Sequence, residues 1–201
     1  MRIPEHPGEY NIIRHSGTDT EVDVPQHRVI LIGAILSMLV FGNSDPRAAD
    51  RLDLAAFREA ALQQHNVYRA KHGVPPLVLR NQLNDVAQKH AEQLARTNQL
   101  VHSEQEHYGE NLYASSSSNS TPPRPEAVVD SWYNEIQHYD FNQPGFRPET
   151  SHFTQVVWKS SQELGIGIAQ ASAGMWYVVA NYRPPGNILN QFATNVLQPK
   201  D

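Results

Sequence analysis

Two histidines and two glutamates stand among apolar residues in three stretches of the sequence. His102 and Glu110 lie in VHSEQEHYGENLY, Glu135 lies in WYNEIQHYDF, and His152 lies in SHFTQVVW. Imidazole and carboxylate groups are suitable ligands for zinc and similar divalent ions. The same four groups could also form a hydrogen-bonded network in which each carboxylate orients one imidazole. The residue types alone leave both interpretations open.

Several other kinds of site are excluded by what the sequence lacks. It contains no cysteine, so disulfides, a thiol nucleophile and a cysteine zinc site are ruled out. Neither the HExxH pattern of zinc hydrolases nor the GxSxG pattern of serine hydrolases is present. The net charge of −5 predicts no nucleic-acid partner.

The other polar residues near these stretches receive structural interpretations. Ser103 follows His102 directly, but neighbours in sequence rarely face each other, so we assign Ser103 no role. We expect His65 and His72 at the surface or the end of a helix, and His90 in the core or half-exposed.

Three helices that would position the site are predicted from the spacing of apolar residues. The first begins after Asp50 and is stopped by Gly73, the second runs from Leu83 to Thr97, and the third has Pro125 in its first turn. The residues that define these helical faces are Leu54, Phe57, Ala61 and Val67 in the first, Leu83, Ala87, His90, Ala91, Leu94 and Ala95 in the second, and Val128, Val129, Trp132, Ile136 and Tyr139 in the third.

Two strands are predicted near the end of the chain, over residues 163–171 and 175–183, because apolar residues alternate in both. Alanine and glycine between them fit a hairpin turn. The serine-rich stretch 114–125 is predicted to be a loop, and the tail after residue 183 to be extended. Helices followed by strands favour an α+β domain in which helices cover an antiparallel sheet.

The first part of the chain has a different composition. Residues 1–28 are predicted to be disordered, and the apolar segment Val29–Gly42 is shorter than the ~20 residues of a spanning helix. Its length fits the apolar region of a signal peptide. We therefore predict a disordered lead with a signal-like or anchor segment over residues 1–49 and a folded domain over 50–201. Asn119 lies in an NST glycosylation sequon, which matters only in the secretory pathway.

Four motifs in order resemble the CAP superfamily, which comprises cysteine-rich secretory, antigen 5 and pathogenesis-related proteins. HNVYRAKHGVPPL is similar to the first helix of the family, GENLY to a characteristic element, and SHFTQVVW and VVANYRPPGNI to its two signatures. The resemblance covers the chain from about Leu54 to Pro199. The lack of cysteine, together with WYNEIQHYDFNQPGF and NVLQPK, resembles most the Golgi-associated branch of the plant pathogenesis-related proteins.

The resemblance implies a three-layer α-β-α sandwich with a central antiparallel sheet. It also implies a cleft in which His102, Glu110, Glu135 and His152 hold zinc or another divalent cation. The function it implies is a non-enzymatic protein of the secretory pathway or the extracellular space, which binds lipid, sterol or membrane surfaces and pairs with itself.

Three alternatives stay open beside this function. One is a zinc-dependent hydrolase that uses a metal-bound water, with Glu110 or Glu135 as the base. Another is a membrane-associated protein on the cytoplasmic face of the Golgi. A third is release of the tail as a peptide signal.

Overall fold

The computed structural model describes residues 52–104, 107–116 and 121–200, together with the short strand Ile13–Arg14. The predicted disordered lead, its signal-like segment and the sequon at Asn119 lie outside the described residues, apart from that strand. In the described part of the chain, no helix is both long and apolar enough to cross a membrane.

The described strands form one five-stranded sheet in the order β1-β3-β5-β4-β2. Their bounds are β1 Ile13–Arg14, β2 Val78–Leu79, β3 Gly109–Ser116, β4 Glu163–Gln170 and β5 Met175–Arg183. The three long strands pair antiparallel, which agrees with the predicted antiparallel sheet, whereas the short edge strands pair parallel to β3 and β4. The predicted hairpin is confirmed, and its register sets Leu164 opposite Tyr182.

The sequence analysis missed β3 and was wrong about the start of the following loop. The last three residues of β3, Ala114 to Ser116, belong to the stretch predicted to be a loop. Their backbones continue the ladder with β5, where Ala114 lies opposite Tyr177. Serine-rich composition predicts a loop, but pairing with a buried neighbour strand overrides that local preference.

The helices are α1 Leu54–Lys71, α2 Asn81–Thr97, α3 Pro125–Tyr133, α4 Ser151–Val156 and α5 Phe192–Asn195. The three predicted helices are confirmed, and Pro125 occupies the first turn of α3. Beyond Tyr133 the third helix tightens into a 3-10 turn, Asn134–His138, rather than continuing as α-helix. The predicted extended tail contains α5, whose Phe192 is buried in the core.

Helix α2 covers one face of the sheet, and α1, α3 and α4 cover the other. The backbone of α2 lies so close to β4 that a Cβ on Gly167 would collide with the backbone of Ala87. Side chains of α2 also bind the edge of β4. The N–H of Ile166 donates to Asn84 at 2.9 Å, and the N–H of Ile168 donates to Gln88 at 3.1 Å. These contacts confirm the predicted α-β-α sandwich.

Two expectations for α1 were wrong. Val67 was assigned to the buried face but is 50% exposed. His65, assigned to the surface or end of the helix, lies within it and is fully buried. His72 lies at the end of the helix, which is one of the two expected placements, and is also fully buried.

His65 contacts the Ala61 carbonyl and the Tyr182 hydroxyl, and His72 contacts the Leu197 carbonyl and the Tyr133 hydroxyl. Each imidazole therefore has a partner at both nitrogens. A histidine whose two nitrogens are hydrogen-bonded can be buried like an apolar residue.

Arg69 is fully buried between α1 and the end of α4. Its guanidinium donates to the carbonyl oxygens of Pro75, Val156, Trp158 and Ser161, at distances of 2.8 to 3.0 Å. Burial lowers the pKa of Arg69 to about 10, so the side chain stays charged at neutral pH. One cation therefore donates to buried carbonyl groups in three segments, and only the Trp158 carbonyl among them is shown with a second donor, the N–H of Ser161 at 3.1 Å.

We predict that Arg69→Met lowers the free energy of unfolding by about 3–5 kcal/mol, because it leaves buried carbonyl groups without donors. Urea denaturation followed by circular dichroism measures this change. The matched control is Arg96→Met on the exposed side of α2, which should cost less than about 0.5 kcal/mol. A loss below about 1 kcal/mol for Arg69→Met would contradict this structural role.

The burial of His65 predicts a pH dependence of stability. Burial disfavours the charged imidazole and lowers its pKa from 6.5 to about 4. Between these values the unfolded chain binds a proton that the folded chain does not. The free energy of unfolding should therefore fall as the pH falls through this window, by up to about 1.4 kcal/mol per pH unit.

Urea denaturation of His65→Leu at a series of pH values between about 5 and 6.5 tests this assignment. The free energy of unfolding of the variant should depend less steeply on pH, by an amount that corresponds to about one bound proton. His138→Leu, which removes an exposed histidine, should keep the wild-type slope. Equal slopes in wild type and His65→Leu would show that His65 does not cause the dependence.

Candidate functional site

His102 and Glu110 form the first pair of the site. His102 lies in the loop after α2, and Glu110 is the second residue of β3. The His102 Nδ1 lies 2.9 Å from Glu110 Oε1. The same carboxylate accepts the backbone N–H of Ser103 at 2.9 Å and its hydroxyl at 2.8 Å. Ser103 was assigned no role, but it shares the carboxylate with its neighbour.

The Glu110 carboxylate is enclosed, since 7% of its side chain is exposed. Burial acts to raise the pKa of Glu110, but hydrogen bonds from His102 and Ser103 outweigh this and hold it below its usual range. The Asn181 amide at 3.4 Å and the His90 Nε2 at 3.9 Å complete the surroundings of the carboxylate. Glu110 is therefore ionised at neutral pH and accepts hydrogen bonds. The prediction for His90 is confirmed, because its side chain lies in the core.

His152 and Glu135 form the second pair. His152 is the second residue of α4, and Glu135 lies in the 3-10 turn after α3. The His152 Nδ1 lies 2.6 Å from Glu135 Oε1, while Oε2 accepts the N–H groups of His152 at 2.9 Å and Phe153 at 3.1 Å. Trp132 lies alongside the imidazole, with the ring centroids 6.5 Å apart and the planes at 20°. Glu135 thus orients the ring and satisfies the first turn of its helix.

Both pairs are attached to the start of β3 through consecutive residues. Glu110 points to the face that α2 covers, beside Asn181. Asn111 points to the opposite face, where its amide donates to the His152 carbonyl at 3.1 Å. Successive side chains of a strand alternate between the faces of the sheet, so one short segment contacts both pairs.

The four predicted site residues are therefore arranged as two pairs. Within the described ranges, no three side chains of histidine, cysteine, aspartate or glutamate form a group that could hold a metal ion. In each pair the glutamate faces Nδ1, which places the proton on Nδ1 and the lone pair on Nε2. This is the arrangement in which a carboxylate prepares a histidine to bind a cation.

Sequence reasoning missed Asn111 and Asn181, although a signal was available. Both asparagines interrupt apolar strand sequences, NLYA and VVANYR, and both are buried. An amide in a buried strand costs stability unless it is hydrogen-bonded, so its presence indicates polar partners across the sheet. Nothing in the sequence indicates that those partners are Glu110 and His152.

We predict that Glu135→Gln changes the tautomer of His152. The backbone N–H groups of His152 and Phe153 need an acceptor, and the new amide has only one oxygen to offer them. Its NH₂ group must therefore face Nδ1 of His152. The imidazole proton would then move to Nε2. Long-range ¹⁵N–¹H NMR spectra distinguish the two tautomers, and His102 provides the internal control because its own glutamate is unchanged. A His152 proton that stays on Nδ1 would contradict the predicted orientation.

Comparison with known proteins identifies the fold and its relatives. Residues 62–182 match the model of the family described as "CAP: Cysteine-rich secretory protein family". The chain is 48% identical over 149 residues to Golgi-associated plant pathogenesis-related protein 1 of Homo sapiens, an alignment that covers 72% of this chain and 94% of the relative. It is 37% identical over 144 residues to Protein PRY2 of Saccharomyces cerevisiae, covering 70% of this chain and 41% of that one.

Solved structures share the fold at lower identity. The crystal structure of NaASP2 with Zn²⁺ aligns with a TM-score of 0.57 and 21% identity, over 72% of this chain and 86% of that chain. The predicted resemblance to the CAP superfamily and to its Golgi-associated branch is confirmed by the family match and by the human relative. The chain belongs to the cysteine-rich secretory protein (CAP) family.

Proposed function

We propose that this chain is a non-enzymatic binding protein whose two histidine–glutamate pairs receive a divalent cation and whose neighbouring apolar surface receives a lipid or sterol. The observation that carries the proposal is how the glutamates are used. Each carboxylate accepts a hydrogen bond from the Nδ1–H of one imidazole and further hydrogen bonds from N–H or hydroxyl groups. Both glutamates thereby serve to orient histidines.

The cation site would consist of His102 and His152, with Glu110 and Glu135 as the groups that orient them. Two imidazoles leave positions for water in the coordination of an ion such as zinc. Zinc would supply a Lewis acid there when bound. NaASP2, a protein of the same fold, was crystallised with Zn²⁺, which supports zinc as the first ion to test.

An apolar surface beside α4 supports the lipid part of the proposal. Asn187 accepts the Thr154 hydroxyl at 2.6 Å and donates to the Ser151 carbonyl at 2.9 Å, so the segment after β5 is fixed to α4. The next two residues, Ile188 and Leu189, are 38% and 40% exposed. Exposed aliphatic side chains next to a polar site are suited to an amphipathic ligand.

The alternative of a zinc hydrolase requires a carboxylate that can take a proton from water. Glu110 and Glu135 are already engaged by imidazoles and backbone N–H groups, which favours binding over hydrolysis. For location, we propose the secretory pathway or the extracellular space. The signal-like segment Val29–Gly42 supports this location.

We predict that the full chain binds zinc at one site and that His102→Ala combined with His152→Ala weakens this binding by about 10-fold or more. Isothermal titration calorimetry with zinc chloride measures the affinity and the number of sites. The matched control replaces His107 and His138, which are exposed, by alanine and removes the same number of imidazoles.

Three outcomes are informative. Zinc binding that survives the His102 and His152 replacements but is lost in the control would place the ion elsewhere. No binding by the folded wild type would reject the cation site. Zinc-dependent proteolysis of casein that disappears in Glu135→Gln would support the hydrolase alternative instead.

A further inference from the structure

A chain of buried hydrogen bonds runs from α1 through the sheet to the backbone of His152. Its members are His65 on α1, Tyr182 on β5 and Asn111 on β3, of which His65 and Tyr182 are fully buried and Asn111 is 1% exposed. None of them belongs to the two histidine–glutamate pairs. Within His152, Glu135 contacts the backbone N–H and the ring but not the carbonyl, so the two pairs do not account for this chain.

The direction of each hydrogen bond follows from its chemistry. His65 Nδ1 lies 2.7 Å from the Ala61 carbonyl, which can only accept, so Nδ1 carries the proton. The neutral ring then accepts at Nε2, where the Tyr182 hydroxyl donates at 2.8 Å. Burial raises the pKa of Tyr182 above its usual range, so this hydroxyl keeps its proton. Its oxygen is left to accept a further hydrogen bond.

Asn111 supplies that hydrogen bond and extends the chain to the site. Its amide nitrogen donates to the Tyr182 hydroxyl at 3.3 Å and to the His152 carbonyl at 3.1 Å. Both protons of the amide are thereby used, which fixes its orientation. His152 is consequently held on two sides, with its N–H and ring on Glu135 and its carbonyl on Asn111.

We propose that His65, Tyr182 and Asn111 are positioning residues that hold the backbone of His152 against β3. Because Asn111 is next to Glu110, which holds His102, the same strand then sets the spacing between the two imidazoles. The effect of this spacing on a shared cation rests on the proposed function. The position of His152 itself does not depend on any ligand.

The test is Tyr182→Phe, compared with Tyr177→Phe on the same strand. Both variants remove the hydroxyl of a buried tyrosine ring. Tyr182→Phe removes the hydrogen bonds to His65 and Asn111, whereas Tyr177→Phe removes the one to Asn98, at the end of α2 on the opposite face. In zinc-free protein, NMR spectra of Tyr182→Phe should show shifted amide and imidazole signals for His152. Tyr177→Phe should leave the His152 signals in place.

Zinc titration provides the second measurement. Tyr182→Phe should bind zinc about 10-fold more weakly than Tyr177→Phe, as for the loss of other groups that orient metal-binding histidines. His152 signals that do not move in Tyr182→Phe would overturn the positioning role. His152 signals that move without any change in zinc affinity would show that the spacing between the two imidazoles does not control zinc binding. If wild type binds no zinc, the proposed function fails and the NMR comparison alone decides the positioning role.

A second variant keeps the test usable if Tyr182→Phe is too unstable to study. Tyr182→Phe combined with His65→Leu removes both partners of their hydrogen bond, and replacing both by apolar groups costs less than orphaning one. The double variant still withdraws the acceptor of Asn111. It should therefore shift the His152 signals as the single variant does, and unchanged signals would again reject the proposal.

Discussion

Opposite charges hold the two ends of α4, the short helix that carries His152. The carboxylate of Glu135 binds the N–H groups of His152 and Phe153 at its beginning, and the buried guanidinium of Arg69 binds the carbonyl of Val156 at its end. Each charge complements the partial charge at that end of a helix. A helix of 6 residues is too short to be stable alone, so its position depends on these side chains.

The same side chains connect stability to the site. Arg69 is a buried residue of α1 in the protein core, whereas Glu135 belongs to the site and orients the imidazole of His152. Between them, Asn111 and Asn187 bind the carbonyl oxygens of His152 and Ser151. The geometry of His152 is therefore set by four elements that surround α4, and little of it is determined within the helix itself.

The sequence predicted the parts of the fold that have a long, regular period. Helix α2 and the hairpin of β4 and β5 were predicted because their apolar residues repeat over many positions. Helix α4 offers too few turns for such a period, and the serine-rich end of β3 has the composition of a loop. His65 was misassigned because periodicity counts apolar residues, and its burial depends on the distant hydroxyl of Tyr182.

The four site residues were predicted by type and by motif, but their pairing was not. Glu135 and His152 lie in different elements and meet only because α4 packs beside the turn after α3. The contact between Ser103 and Glu110 depends on how the loop returns to β3. Such contacts are properties of the tertiary arrangement, so a pattern along the chain cannot specify them.

The contact between α2 and β4 has a consequence for assembly. Asn84 and Gln88 bind the N–H groups of Ile166 and Ile168 that a neighbouring strand would otherwise use. A strand from another molecule therefore meets no vacant donors at these two positions, and the sheet is closed there to growth and to edge-to-edge aggregation. Two amide side chains on a helix thus protect this border as a further strand would, while adding no edge of their own.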